Sequence, residues 1–168
     1  LFQAFLTATP GDGAIKSRLE TLTHVDPPAK QDPKVLALRN GFAALNAGDL
    51  EQASSRFERL LAENANNTDA LGGLGVIRLK QEKFAEAERY LQQATKGQQN
   101  LAKWGTALSS ARFWLAMDAG NAHREAGQRD LAISQFTRAQ RLDGTQTLPV
   151  LALADLAAED GKLAEADH

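Results

Sequence analysis

The chain has 168 residues, with 19 Lys and Arg against 21 Asp and Glu, for a net charge of −2. That balance, with no run of basic residues, excludes the electrostatic footprint of a nucleic-acid binder, so neither DNA nor RNA is expected as a partner. The absence of cysteine rules out a disulfide framework and a thiolate zinc site; the most apolar run, from Leu148, is broken by Asp155 and falls short of the roughly 20 residues that cross a bilayer, so no membrane insertion is expected.

In chain order, "LFQAFL" lacks an initiator Met and the basic start of a signal peptide, and "LAEADH" stops inside a helical pattern. The sequence reads as a fragment of a longer protein. Residues 1–8 read as the tail of one helix and 13–24 as a lone helix. The Pro-rich connection "HVDPPAKQDP", His24 to Pro33, follows, and its prolines hold their neighbours extended. That makes it a place for a bend or hinge.

Beyond Pro33 the sequence repeats itself. "AGDLEQASSRFERLL" at 47–61 aligns with "QEKFAEAERYLQQAT" at 81–95, with "AGQRDLAISQFTRAQ" at 126–140 and with "DGKLAEA" at 160–166. The anchor alanines Ala53, Ala87, Ala132 and Ala166 are 34, 45 and 34 residues apart. A recurring period of this size marks stacked supersecondary units. Small residues recur at the eighth position (Gly41, Gly75, Gly120, Ala154) and large apolar ones at the twenty-fourth (Phe57, Leu91, Phe136).

Spacing and residue types together resemble the tetratricopeptide repeat, whose period is 34 residues. The resemblance implies an all-α solenoid, a right-handed superhelix of antiparallel helix pairs. It divides the chain into an end of a preceding repeat, lone helix and connection at 1–33, repeats at 34–67, 68–101 and 113–146, an extension at 102–112, and a truncated repeat at 147–168. One departure is the family's Pro at position thirty-two. It is present only as Pro10, with Ala65, Gln99 and Gly144 in the later repeats.

Local chemistry fits helix hairpins. Gly48, Gly127 and Gly161 stand where a first helix must end in a left-handed residue, with Glu82 in the corresponding place of the second repeat. Asp49, followed three residues later by Gln52, has the spacing of a capping box.

The eleven residues "AKWGTALSSAR", Ala102 to Arg112, make about three α-helical turns, so prefixing them to a helix preserves its facing to within about 20°. Leu101, Trp104, Leu108, Ala111 and Leu115 then share a stripe, which predicts one helix over about 101–126. A break at Gly105 or Ser109-Ser110 is the alternative.

The glycine-rich "LGGLG" around Gly72, Gly73 and Gly75 lacks the preceding strand and the Gly-Lys-Ser/Thr ending of a phosphate loop. Gly75 is the small eighth-position residue. Gly72 and Gly73 fall on the groove side, exposing backbone to a partner or to an adjacent helix.

At 100° per residue, one face of each first helix packs against its neighbours and the opposite face lines the concave groove. The groove set comprises Leu38, Arg39, Phe42, Gly72, Gly73, Val76, Leu79, Lys80, Trp114, Met117 and Asn121, with Asp69 and Asp118 beside them. Its apolar floor and mixed charge suit a peptide or protein helix better than a polyanion. Trp114 also offers an aromatic face to a sugar ring, against the alternative of packing within the protein, and for Phe42, Val76 and Leu79 the alternative is contact with the next helix. The adaptors of this family that grip acidic C-termini carry Lys and Asn where this chain has Leu38 and Phe42, so no such clamp is expected.

No catalytic, cofactor or metal site is expected. His24, His123 and His168 form no ligand spacing, His123 falling at a buried position of the third repeat, and the serines sit in no nucleophile turn.

From Lys34 to the end, "NTDALGGLGVIRLKQEKFAEA" and "KWGTALSSARFWLAMDAGNAHREAGQRDLAISQFTRAQRLDG" resemble the repeat region of the periplasmic cellulose export proteins that accompany bacterial cellulose synthases. The lengthened "KW…ARFW" helix is the most particular feature. The resemblance implies a non-enzymatic periplasmic scaffold in cellulose synthesis and export, with the other components of the cellulose synthase complex and the glucan as partners. Two alternatives stand beside it, a general peptide-binding adaptor and a groove that binds glucan directly.

Overall fold

A computed structural model describes residues 32–166, with side chains described through Glu159. The expected helices at 1–8 and 13–24, most of the Pro-rich connection, His24 and His168 lie outside the described residues. Within them the chain forms seven helices: α1 (Pro33–Asn46), α2 (Leu50–Glu63), α3 (Thr68–Lys80), α4 (Phe84–Ala94), α5 (Gln98–Glu125), α6 (Arg129–Leu142) and α7 (Leu148–Ala166).

Successive helices pair as α1/α2, α3/α4 and α5/α6. The first helices of adjacent pairs also lie together, α1 on α3 and α3 on α5. This is the all-α repeat solenoid expected from the period, lengthened helix included.

The pairs are closed by one turn used three times. The amides of Asp49, Lys83 and Gln128 donate to the carbonyls of Ala44, Arg78 and His123, five residues back, and those of Gly48, Glu82 and Gly127 donate three residues back. This is the Schellman arrangement, which needs a left-handed residue at its corner. Gly48 and Gly127 supply it at φ +82° and +70°, and Glu82 adopts φ +59° despite its side chain. The Gln52 amide donates to Asp49 Oδ1 at 2.9 Å, forming the expected first arm of a capping box. The Gln52 side-chain amide donates to the Asp49 carboxylate rather than reaching back to the backbone.

Why the eighth position is small is plain from packing. A Cβ at Gly41 would sit 2.7 Å from Phe57, one at Gly75 2.4 Å from Leu91, and one at Gly120 2.5 Å from Phe136. Each glycine lets the large residue of its own second helix close onto the backbone. Phe57 is enclosed twice, because a Cβ at Gly73 would lie 2.5 Å from the opposite side of its ring.

The buried residues fall into three clusters. One joins α1, α2 and α3 around Phe57 and Leu74. A second joins α3, α4 and the first half of α5 through Leu91, Trp104, Leu108 and Ala111. The third joins the second half of α5 to α6 and α7 through Phe113, Met117, Phe136 and Leu156.

The 28 residues of α5 run without a break through Gly105 and Ser109-Ser110. Trp104, Leu108 and Ala111 bury one side of it, whereas Phe113, Ala116, Met117 and Gly120 bury a side roughly 160° away at 100° per residue. The helix therefore carries two cores on nearly opposite faces, displaced along its length. Eleven added residues at 1.5 Å each shift the α6–α7 attachment by about 16 Å along the helix axis.

Three expectations need correction. Leu101 does not join the buried stripe but is 54% exposed, because the stripe begins at Trp104 where α5 meets α3. Helix α7 continues through Gly161 to Ala166 instead of turning there, and Ala154 is exposed. Ala157, Ala158 and Ala164 favour helix, and one interior glycine costs only about 1 kcal/mol. His123, expected to be buried, is half-exposed and pairs through Nδ1 with Gln128 Oε1 at 2.6 Å.

Candidate partner-binding surface

The expected groove is divided by the chain's own long helix. On α1, Phe42 stacks on Trp104 of α5, with ring centroids 6.1 Å apart and planes 18° apart. Gly72 lies directly under the same indole, where a Cβ would sit 2.2 Å from it. Lys103 reaches back to pair with Asp69 at 2.6 Å, its ammonium 5.0 Å from the Trp104 ring centroid. Of the residues expected at the groove over the first two pairs, Phe42, Asp69 and Gly72 meet α5.

Gly72 and Gly73 are thus buried against Trp104 and Phe57, and neither exposes backbone to a ligand. Met117 is 7% exposed, inside the α5–α6–α7 core. Leu38, Phe42 and Val76 are half-buried against the α1–α2–α3 core. Arg39 is exposed on α1, and Asn121 is half-exposed near the end of α5.

Further along α5 the surface opens. Leu79 and Lys80 from the end of α3, Glu82 from the turn, Phe84 from the start of α4, and Trp114 and Asp118 from α5 line one cleft of about 350 Å³. Trp114 is 38% exposed and stacks on Phe84, with centroids 5.9 Å and planes 16° apart. Phe113 meets the Trp114 ring edge-on at 5.2 Å. An adjoining hollow shares Phe84 and Asp118 and adds Lys83, Glu86 and Leu115.

Three of the expected groove residues, Leu79, Lys80 and Trp114, converge here. Sequence reasoning missed Phe84 and Glu82. The signal was available in the repeat alignment, where Phe84 occupies the place held by Leu50 and Arg129. An aromatic at that one position, beside a non-glycine at the turn, distinguishes the second pair from the others.

The sequence profile of the tetratricopeptide repeat family matches residues 44–111. The described residues form a tetratricopeptide-repeat solenoid. The 168-residue chain is 38% identical, over 100% of its length, to cellulose synthase operon protein C of Xanthomonas axonopodis pv. citri (strain 306). It is 36% identical over 99% of its length to the protein of that name from Pseudomonas fluorescens (strain SBW25). Against that of Escherichia coli (strain K12) it is 31% identical over 73% of its length. The chain spans 11%, 13% and 11% of these three relatives.

The open cleft is lined by charged and aromatic side chains. Its charged groups, Lys80, Glu82 and Asp118, surround an aromatic floor. Elsewhere the ion pairs join helices to one another, with Arg78 on Glu86 at 2.8 Å and Arg112 on Glu88 at 2.9 Å. Among the described residues no group of three or more His, Cys, Asp or Glu is arranged to hold a metal, and no helix is long and apolar enough to cross a membrane.

Proposed function

We propose that the array is a non-enzymatic scaffold in a bacterial cellulose synthesis and export complex, acting in the periplasm, where it holds neighbouring subunits and helps guide glucan toward an outer-membrane pore. The observation that carries this reading is the full-length likeness to proteins named cellulose synthase operon protein C. The fold supports it in a specific way. A single 28-residue helix carries two separate cores, so the spacing between them is set by a rod of fixed length.

A spacer should be sensitive to length. Inserting eleven helix-forming residues between Arg112 and Phe113 in the full-length gene adds about three whole turns, keeps the helix facing and leaves both cores their residues. The expected outcome is reduced glucan outside the cell, with the protein present at its normal level. Undiminished glucan export after removal of the whole 33–166 segment would contradict the proposal.

Direct glucan contact is favoured over a general peptide groove by one observation. The groove surface over the first two pairs is occupied by Trp104 and Lys103, and the cleft that is open has a half-exposed tryptophan in it.

A further inference from the structure

We infer that the Phe84–Trp114 cleft is a pyranose subsite for a β-linked glucan chain; this rests on the scaffold reading and assigns that reading a place of contact. The first argument is the platform. Phe57, Phe113, Phe136 and Trp104 are buried, but Trp114 keeps 38% of its surface in water while stacked nearly parallel to Phe84. Phe84 lies nearly parallel to the indole, at 16°, and backs it, so the part of the Trp114 ring left in water is a supported apolar surface beside a cleft. A pyranose with equatorial hydroxyls presents such a face with its axial C–H bonds, whose positive ends meet the negative face of an indole.

The second argument is the rim. Hydroxyls around a sugar ring need both acceptors and donors, and the cleft offers the carboxylates of Asp118 and Glu82 with the ammonium of Lys80. One ammonium against two carboxylates gives the cleft no positive field to draw a polyanion. The cleft volume of about 350 Å³ falls at the small end of ligand sites, which run from roughly 300 to 1,000 Å³. A site of this size takes a short stretch of chain.

The third argument is positional. Glu82 occupies a left-handed corner at φ +59° where the corresponding turns use glycine. That exchange places a carboxylate on the cleft wall at the expense of an unstrained turn, and strain of this kind collects where a side chain is needed.

The test is a titration of the 168-residue chain with cellohexaose, followed by tryptophan emission. Trp104 is 7% exposed and covered by Phe42, so a ligand-dependent change reports Trp114. The expected result is a saturable shift with a Kd of about a millimolar or below. It should weaken at least tenfold in Trp114→Ala, and it should be unchanged between low and high NaCl because the ligand is neutral. Lys80→Ala, an exposed change that leaves the fold in place, should weaken binding severalfold. Maltohexaose, whose α-linked chain does not lie flat, should bind severalfold more weakly than cellohexaose.

Absence of a saturable shift at several millimolar cellohexaose would overturn the inference. So would equal binding of maltohexaose, an undiminished shift in Lys80→Ala, or salt-sensitive capture of an acidic peptide at Trp114 with no response to the sugar. Any of these would leave the scaffold reading standing on its export phenotype.

Discussion

Gly72 lies beneath the indole of Trp104, so close that a Cβ on Gly72 would sit 2.2 Å from Cε2 of that ring. The two residues belong to α3 and to the first half of α5, and with Phe42 they join the lengthened helix to the first two helix pairs. Their relationship explains why a helix interior keeps a glycine despite a propensity loss of about 1 kcal/mol relative to alanine. The indole N–H is buried without a hydrogen-bond partner among the described residues, which marks Trp104 as a residue that fills space.

Gly72→Ala is therefore expected to destabilise the array by about 1–3 kcal/mol through overpacking, against the propensity gain. In a Trp104→Ala background the same change should be neutral or stabilising, because the ring it meets has gone. A double-mutant cycle by urea unfolding measures this coupling. Additive effects would place Trp104 elsewhere.

Gly105 makes the contrasting case. A Cβ there meets only Leu101, at 3.4 Å, an ordinary contact with an exposed side chain. Gly105→Ala should stabilise α5 by up to about 1 kcal/mol. A loss of stability on thermal unfolding would argue for a break or close contact at this point.

Glu82 should behave as a strained corner. Replacing it with glycine relieves the left-handed penalty, and a stabilisation of about 1 kcal/mol is expected. Gly127→Ala, at φ +70° with open space around it, should cost a similar amount. If cellohexaose binding is measured on Glu82→Gly as well, stability should rise while affinity falls.

Most of the architecture was legible because it rests on local signals. The anchor alanines, the small eighth position and the turn glycines each describe contacts within one helix pair. Accordingly Gly41–Phe57, Gly75–Leu91 and Gly120–Phe136 appear in the structure where the period requires them. The site was less legible because it depends on where α5 lies relative to more distant pairs. Helix phase placed Gly72 and Phe42 on the groove side, but phase cannot say that the same chain returns 32 residues after Gly72 with a tryptophan to cover them. The switch of α5's buried face was hidden for a related reason. Trp104 and Phe113 each fit a helical stripe, and only contact with α4 and α6 shows that the two stripes face apart. Gly161 misled in the opposite direction, since α7 runs through it to Ala166.

The central claim is that α5 is one unbroken rod carrying two cores. With no native cysteine, spin labels can be placed at exposed Gln99 and Glu125 alone. Electron–electron dipolar distances between them test the rod directly. A continuous helix predicts a single narrow distribution near the roughly 39 Å expected for 26 residues at 1.5 Å each. A broad distribution, or one centred well below that length, would mean that α5 bends or breaks and that the two cores are not held at a fixed spacing.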